Sequence, residues 1–175
     1  MSKKEGQVKG QDLVLALKVF LIQDEGFTIR SLSKDLEISV SEVSNALSRL
    51  AFTGLIGPDK KRVNLASLYE FIVHGVPYVF PIKAGVIKRG IPTSFSQPSL
   101  SHLINSDDKY VWPTPNGKIK GSSLEPLYPT VPNFIENDPP LHRLLALVDM
   151  IRVGRVREKK LAAEILKNEI LGSNK

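Results

Sequence analysis

Apolar residues follow a helical spacing in the first third of the chain. Over residues 11–24, Leu13, Leu17 and Leu21 fall on one face at every fourth position. Further apolar residues occupy the other faces, so this helix needs cover on more than one side. Gly26 marks its end. The pattern predicts a helix covered either by the rest of its own chain or by a second subunit.

Two shorter helices are predicted next. Thr28 is a suitable N-cap for a helix over residues 28–37, whose apolar positions again have helical spacing. After a tight turn, the segment Ser39-Val40-Ser41-Glu42 matches a capping box. In that motif the serine hydroxyl accepts from the glutamate amide, and the glutamate side chain reaches back. Ser39 therefore predicts the start of a third helix.

The third helix has a polar outward face. Val43, Leu47 and Leu50 recur at inward positions. The residues predicted to face outward are Ser41, Glu42, Ser44, Asn45, Ser48 and Arg49. After this helix, Gly54-Leu55-Ile56 and Val63-Asn64-Leu65 predict a short β-hairpin, whose tip carries Lys60, Lys61 and Arg62.

The segment TIRSLSKDLEISVSEVSNALSRLAFTGLI, residues 28–56, resembles the helix-turn-helix core of MarR-like bacterial winged-helix regulators. The resemblance lies in the order of its parts: a short helix, a tight turn, a helix that begins with serine, and a Gly-Leu-Ile ending before the hairpin. It extends over Gln11 to Leu65, about a third of the chain. The residues after Leu65 do not resemble the dimerisation helices of that family.

The resemblance implies binding of double-stranded DNA, with the third helix in the major groove. Asn45 has the chemistry to pair with adenine, and Arg49 with guanine or a phosphate. Ser41 and Ser44 are small enough to reach phosphates or bases, and Ser48 lies on the same face. Glu42 either stays in the capping box or accepts from cytosine. The cations at the hairpin tip, Lys60, Lys61 and Arg62, are expected on the backbone or in the minor groove.

The middle of the chain differs from the first third in its proline content and in the spacing of its apolar residues. Residues 65–74 predict a helix, and residues 75–140 hold eleven of the twelve prolines. Short strands are predicted at Val76–Phe80, Ala84–Ile87 and Tyr110–Trp112, with an edge strand at Lys118–Lys120. The aromatic residues of this segment favour a small core over stacking on bases: Tyr78, Phe80, Phe95, Tyr110, Trp112 and Tyr128.

The last third returns to helical spacing. Asp138 followed by Pro139 predicts a helix start, and an apolar stripe runs from there to Ile151. After Gly154 a second amphipathic helix is predicted over residues 155–171. The cations within residues 152–160 are expected to form a solvated face, with contact to phosphate as the alternative.

Composition narrows the functional classes. The absence of cysteine excludes disulfides, zinc fingers and thiol catalysis, and the three histidines lie too far apart in sequence for a metal-ligand motif. No glycine-rich phosphate loop or nucleophile–base pattern indicates an enzyme. The net charge of +6 favours anionic partners. No apolar run approaches the roughly 18 residues of a membrane span, and no secretory signal is evident, which favours a cytoplasmic protein.

These observations predict an α+β protein of three segments: a winged helix-turn-helix over residues 1–74, a proline-rich segment with short strands over 75–140, and a C-terminal helical extension over 141–175. The predicted function is sequence-specific binding of double-stranded DNA by a transcriptional regulator. There are two alternatives: an adaptor whose winged helix binds another protein, and an antitoxin-like autoregulator of a small operon. No catalytic residue, metal or cofactor is predicted. A homodimer is expected, held by helix 11–24 and the C-terminal helices.

Overall fold

A computed structural model describes residues 6–172 and confirms the mixed α+β class. The chain divides into two compact units, residues 1–68 and 69–175. Both of the predicted segments 75–140 and 141–175 therefore fall within the second unit. Among the described residues, no helix is both long and apolar enough to cross a membrane.

The first unit begins with three helices. They are α1 (Gly10–Ile22), α2 (Ile29–Leu36) and α3 (Val40–Phe52). Both predicted N-caps are confirmed, because the Thr28 hydroxyl accepts from the Ser31 amide at 3.0 Å and the Ser39 hydroxyl accepts from the Glu42 amide at 3.2 Å. Beyond α1, Gly26 has a φ of 83°, a conformation that glycine adopts without strain.

The predicted hairpin after α3 contains one bridged residue pair and no extended strands. A single antiparallel bridge joins Ile56 to Val63, and residues 57–62 form turns between them. The Gly57 amide donates to the Arg62 carbonyl at 2.8 Å, which closes the turn. The predicted wing, residues 56–63, is therefore a short loop, and Lys60 at its tip has a φ of 59°.

The apolar residues of α1 are buried as far as Val19, whereas Phe20, Leu21 and Ile22 at its end are half-buried. Leu13 to Leu17 and Val19 all have no exposed surface in the single chain. The reason for expecting a second subunit over this helix is therefore not supported, and the homodimer stays a prediction.

The helix predicted over residues 65–74 is longer than expected. It consists of α4 (Leu65–Glu70), a π-helical turn at Phe71–Gly75 and α5 (Val76–Val79). The strand predicted at Val76–Phe80 is therefore wrong. Pro77 lies in the first turn of α5, directly after the π-helical turn, so the proline stands where the hydrogen-bond pattern of the helix changes.

Three short strands form the β-structure of the second unit: β1 (Ile87–Pro92), β2 (Tyr110–Pro113) and β3 (Ile119–Ser123). β1 is antiparallel to both others, and β2 and β3 pair in parallel, so that each strand contacts the other two. The strand predicted at Tyr110–Trp112 is confirmed. The strand predicted at Ala84–Ile87 lies too early, and β3 is not an edge strand because it pairs on both sides.

The second unit is completed by helices. They are α6 (Val131–Phe134), α7 (Pro139–Val153) and α8 (Val156–Leu166), followed by a π-helical turn at Lys167–Leu171. α7 starts as predicted, with the Asp138 carboxylate accepting from the Leu141 amide at 3.2 Å. The predicted apolar stripe of α7 is buried. The helix contacts α5, α8 and the short 3-10 turns at Ser94–Ser96 and Ile135–Asn137.

A buried carboxylate connects α7 with the strands. Asp149 is 1% exposed and accepts from the Trp112 indole at 2.8 Å, the Thr93 hydroxyl at 2.7 Å and Arg152 at 2.9 Å. Burial raises the pKa of the Asp149 carboxyl, while these three partners act in the opposite direction. Near this cluster, His142 Nε2 donates to the Pro92 carbonyl at 2.8 Å. The predicted aromatic core is confirmed for Trp112 and Phe95 but is wrong for Tyr78, which is 84% exposed.

Candidate nucleic-acid interface

The outward face of α3 carries short uncharged polar side chains. Ser41, Ser44, Asn45 and Ser48 are all exposed, as predicted. The inward residues Val43, Ala46, Leu47 and Leu50 are buried. This separation follows from the helical period, which brings every third or fourth residue to the same side. The four polar residues thus form one surface, here called the α3 face.

Arg49 does not belong to the α3 face, which corrects its predicted outward position. It is 8% exposed, and its guanidinium donates to both oxygens of Asp12, from Nε at 2.8 Å and from Nη2 at 2.7 Å. Asp12 is fully buried on α1. A buried charge requires a hydrogen-bonded partner of opposite charge, and α1 supplies it. Arg49 is therefore not available to contact a base or a phosphate.

Glu42 pairs with cations instead of completing the predicted capping box. Its carboxylate accepts from Arg49 Nη2 at 2.7 Å and from the Gln11 amide, and it lies 3.6 Å from Lys9 Nζ. The hydrogen bond from Arg49 lowers the pKa of Glu42, with a minor contribution from the Asn45 side chain. Only half of the predicted capping box forms at Ser39, because the glutamate pairs with Arg49 instead of reaching back.

Lys60 is the wing residue that reaches the α3 face. Its Nζ donates to the Ser48 hydroxyl at 2.9 Å, and that hydroxyl donates to the Ser44 carbonyl at 3.1 Å. The positive charge of the wing is thereby held beside the polar side chains of the helix. Sequence spacing had predicted a basic tip, but not this contact.

The two other wing cations differ from each other. Lys61 is exposed, and its amide donates to the Asp59 carboxylate at 3.1 Å, which shapes the turn. Arg62 lies 3.0 Å from Asp24 in an exposed ion pair. Exposed pairs of this kind contribute little to stability and break easily. All three predicted wing cations thus remain on the surface, with Arg62 partly neutralised.

Sequence reasoning missed Asp12 and Gln11, which position α3 from the first helix. The signal was present, since Asp12 is an acidic residue at the start of an otherwise apolar helix. A carboxylate on such a helix indicates a buried cationic partner. Two exposed apolar residues at the ends of α3 were also missed, Val40 at 49% and Phe52 at 75% exposure.

Residues 6–172 contain no group of three or more histidine, aspartate or glutamate side chains placed to hold a metal ion. Comparison of the chain with protein-family models, with curated proteins and with solved structures finds no match.

Proposed function

We propose that the protein binds double-stranded DNA sequence-specifically, with the first unit acting as a winged helix-turn-helix and α3 as its recognition helix. The observation that carries the proposal is the α3 face, in which Asn45 lies among three small hydroxyl residues with Lys60 held at its side. A major groove admits one helix, and small polar side chains allow close approach to the base edges. Regulation of transcription is the activity expected of such a protein.

The charge distribution supports this proposal. A carboxylate on a DNA-reading helix would repel phosphates, but the Glu42 charge is offset by Arg49 and Lys9. The exposed residues of the α3 face are uncharged, and the nearby cations lie on the wing. This arrangement separates the two tasks of a DNA-binding unit, because base contacts give specificity while phosphate contacts give affinity.

Within this proposal Asn45 is the residue that reads a base. Its carboxamide can donate and accept at once, and adenine presents the matching pair in the major groove. Arg49 is a positioning residue, since it fixes α3 against α1 through Asp12. Lys60 and Lys61 contact phosphates, and Ser48 orients Lys60.

An adaptor function is the second candidate, favoured by one observation. Phe52 and Val40 expose large apolar surfaces at the two ends of α3. Exposed aromatic residues are enriched at protein interfaces. In this case α3 would bind a protein partner along a line between Val40 and Phe52, and Asn45 would contribute little.

Selection from a library of random duplexes tests the proposal. The wild-type protein is expected to enrich a short motif, and the Asn45→Ala variant to lose enrichment at one or two positions of that motif. Asn168→Ala, which changes an exposed asparagine of the second unit, serves as the matched control and should enrich the wild-type motif. Failure of the wild-type protein to enrich any motif would refute sequence-specific binding. A Phe52→Ser variant that enriches the motif normally would exclude a role of Phe52 in that activity.

A further inference from the structure

A second cationic surface lies on β1 of the second unit. Residues 83–89, Lys-Ala-Gly-Val-Ile-Lys-Arg, are all exposed, directly before Gly90 enters the interior. Val86 is 71% and Ile87 65% exposed, so this segment presents apolar side chains as well as charges. Of these residues Ile87, Lys88 and Arg89 belong to β1, and all three are exposed although successive strand residues point to opposite sides, so both sides of the strand are open here. The uninterrupted exposure indicates a surface suited to an external partner.

Two cations face each other across neighbouring strands. Arg89 on β1 is paired in register with Lys120 on β3. Like charges directly opposite one another destabilise a sheet. Within residues 6–172 neither of them forms an ion pair, whereas Lys118, nearby on the chain, lies 3.6 Å from Glu136. The Arg89 guanidinium donates a long hydrogen bond, 3.4 Å, to the Gly117 carbonyl, which carries no charge. An anion from outside the chain would offset this repulsion.

A groove runs beside these cations. It has a volume of about 350 Å³ and is lined by Lys88, Arg89, Pro113, Thr114 and Pro115. Among the residues that the structure describes no carboxylate lines it, and the hydroxyl of Thr114 adds a donor. The proline rings restrict the backbone, so the groove loses little entropy when a ligand binds. Two cations, one hydroxyl and rigid apolar walls have the chemistry to hold a phosphodiester.

We propose that this surface, formed by Lys88, Arg89 and Lys120, binds the phosphate backbone of double-stranded DNA independently of the α3 face. The phosphates contact the three cations, and the exposed Val86 and Ile87 contact the sugars beside them. The inference that this surface binds an anion is drawn from residues of the second unit alone. The choice of duplex DNA among polyanions rests on the function proposed for the first unit.

The salt dependence of duplex binding tests the inference. The full-length triple variant Lys88→Gln, Arg89→Gln, Lys120→Gln is compared with wild type on a random-sequence duplex over a range of salt concentrations. Each phosphate contact contributes about −0.9 to the slope of log affinity against log salt, so the slope should become shallower by about 2 to 3. Affinity at physiological salt should fall by at least about tenfold. Circular dichroism checks that each variant folds.

The matched control removes the same charge elsewhere in the second unit. Arg157→Gln, Lys160→Gln, Lys167→Gln changes three exposed cations and should leave the slope near the wild-type value. Equal losses in both triple variants, or no loss in the first, would overturn the inference. Loss of binding to phosphatidylserine vesicles but not to duplex would also overturn it, since a lipid surface would then be the occupant.

The two proposals fail separately in this design. If the selection enriches no motif while the first triple variant still makes the salt slope shallower, sequence-specific reading by α3 is refuted and the second surface is supported. If the motif is enriched but the slope is unchanged, only the second surface is refuted. A wild-type protein that binds no duplex even at low salt refutes both.

Discussion

The guanidinium of Arg49 on α3 donates two hydrogen bonds to the carboxylate of Asp12 on α1. The pair is buried, with Asp12 at 0% and Arg49 at 8% exposure. It joins residues 37 positions apart in the chain and fixes the helix whose outer face is proposed to read DNA. This pair therefore connects the stability of the first unit with the function proposed for it.

Asp12→Ala is expected to destabilise the protein strongly. It leaves a buried guanidinium that keeps, among the described residues, Glu42 alone as an ionic partner, and loss of one partner of a buried pair costs about 3–5 kcal/mol. Urea denaturation followed by far-ultraviolet circular dichroism measures the change. The double variant Asp12→Leu, Arg49→Met should recover much of the loss, because apolar residues of similar volume replace a buried pair at little cost. A single variant as stable as wild type would contradict the structural role of the pair.

Asn45→Ala is expected to weaken binding to the selected duplex by about 1–3 kcal/mol while leaving the fold intact. The side chain is exposed on the α3 face, so its removal creates no cavity. Fluorescence anisotropy with a labelled duplex measures the affinity, and a thermal melt checks the fold. Asn45 would be excluded as a base-reading residue if the variant kept both affinity and specificity.

Replacing Lys60, Lys61 and Arg62 by alanine should weaken binding to all duplex sequences nearly equally and flatten the salt slope. Phosphates carry no sequence information, so the loss should not depend on the motif. Binding isotherms on the selected duplex and on a scrambled one, each at several salt concentrations, distinguish the two cases. A loss confined to the selected duplex would show that the wing reads bases.

Gly117→Ala is expected to destabilise the second unit. A Cβ at this position would lie 2.2 Å from the Cα and N of Gly90, and backbone atoms cannot move aside as a side chain can. Overpacking of this kind typically costs about 1–3 kcal/mol, and more where the backbone must shift. Gly172→Ala is the control, because a Cβ there meets no atom of the described residues within 4 Å. Equal melting temperatures for the two variants would mean that the strands are less closely packed than described.

Stability should fall as the pH is lowered through the titration of His142. Burial lowers the pKa of His142 below its ordinary value of 6.5, although the Pro92 carbonyl, Glu136 and Asp149 act in the opposite direction. The unfolded chain therefore binds a proton between these two pKa values while the native chain does not. By linkage the free energy of unfolding decreases as pH falls through that window.

Urea denaturation between about pH 7.5 and about pH 5 measures this slope, which His142→Gln should reduce. Glutamine keeps a donor for the Pro92 carbonyl but does not titrate. His102→Gln changes an exposed histidine of the same unit and is the matched control for the loss of an imidazole. An unchanged slope in His142→Gln would assign the pH dependence to other groups.

Local signals in the sequence were sufficient for the starts of helices. Thr28, Ser39 and Asp138 were each identified as caps because an N-cap depends on the residue itself and its next few neighbours. The inward and outward faces of α3 were also predictable from the helical period. Arg49 was placed wrongly because the decisive partner, Asp12, is distant in sequence, and a helical period does not reveal such a contact.

The second unit was less predictable for the same reason. A short apolar run such as Val76–Phe80 fits either a helix or a strand, and only its packing decides. The pairing of β1 with both β2 and β3 depends on close approach between backbones, which Gly90 and Gly117 permit. No pattern along the chain identifies which glycines will meet.

Trp112 is the only tryptophan in the chain, and its indole is hydrogen-bonded to Asp149. All four tyrosines also lie after Leu68, so the first unit contains phenylalanine as its only aromatic residue. Intrinsic ultraviolet emission therefore comes almost wholly from the second unit, whereas far-ultraviolet circular dichroism records the helices of both. Denaturation curves from the two probes coincide if the units unfold together and separate if they unfold independently. The chain thus carries a natural optical label on one of its two halves.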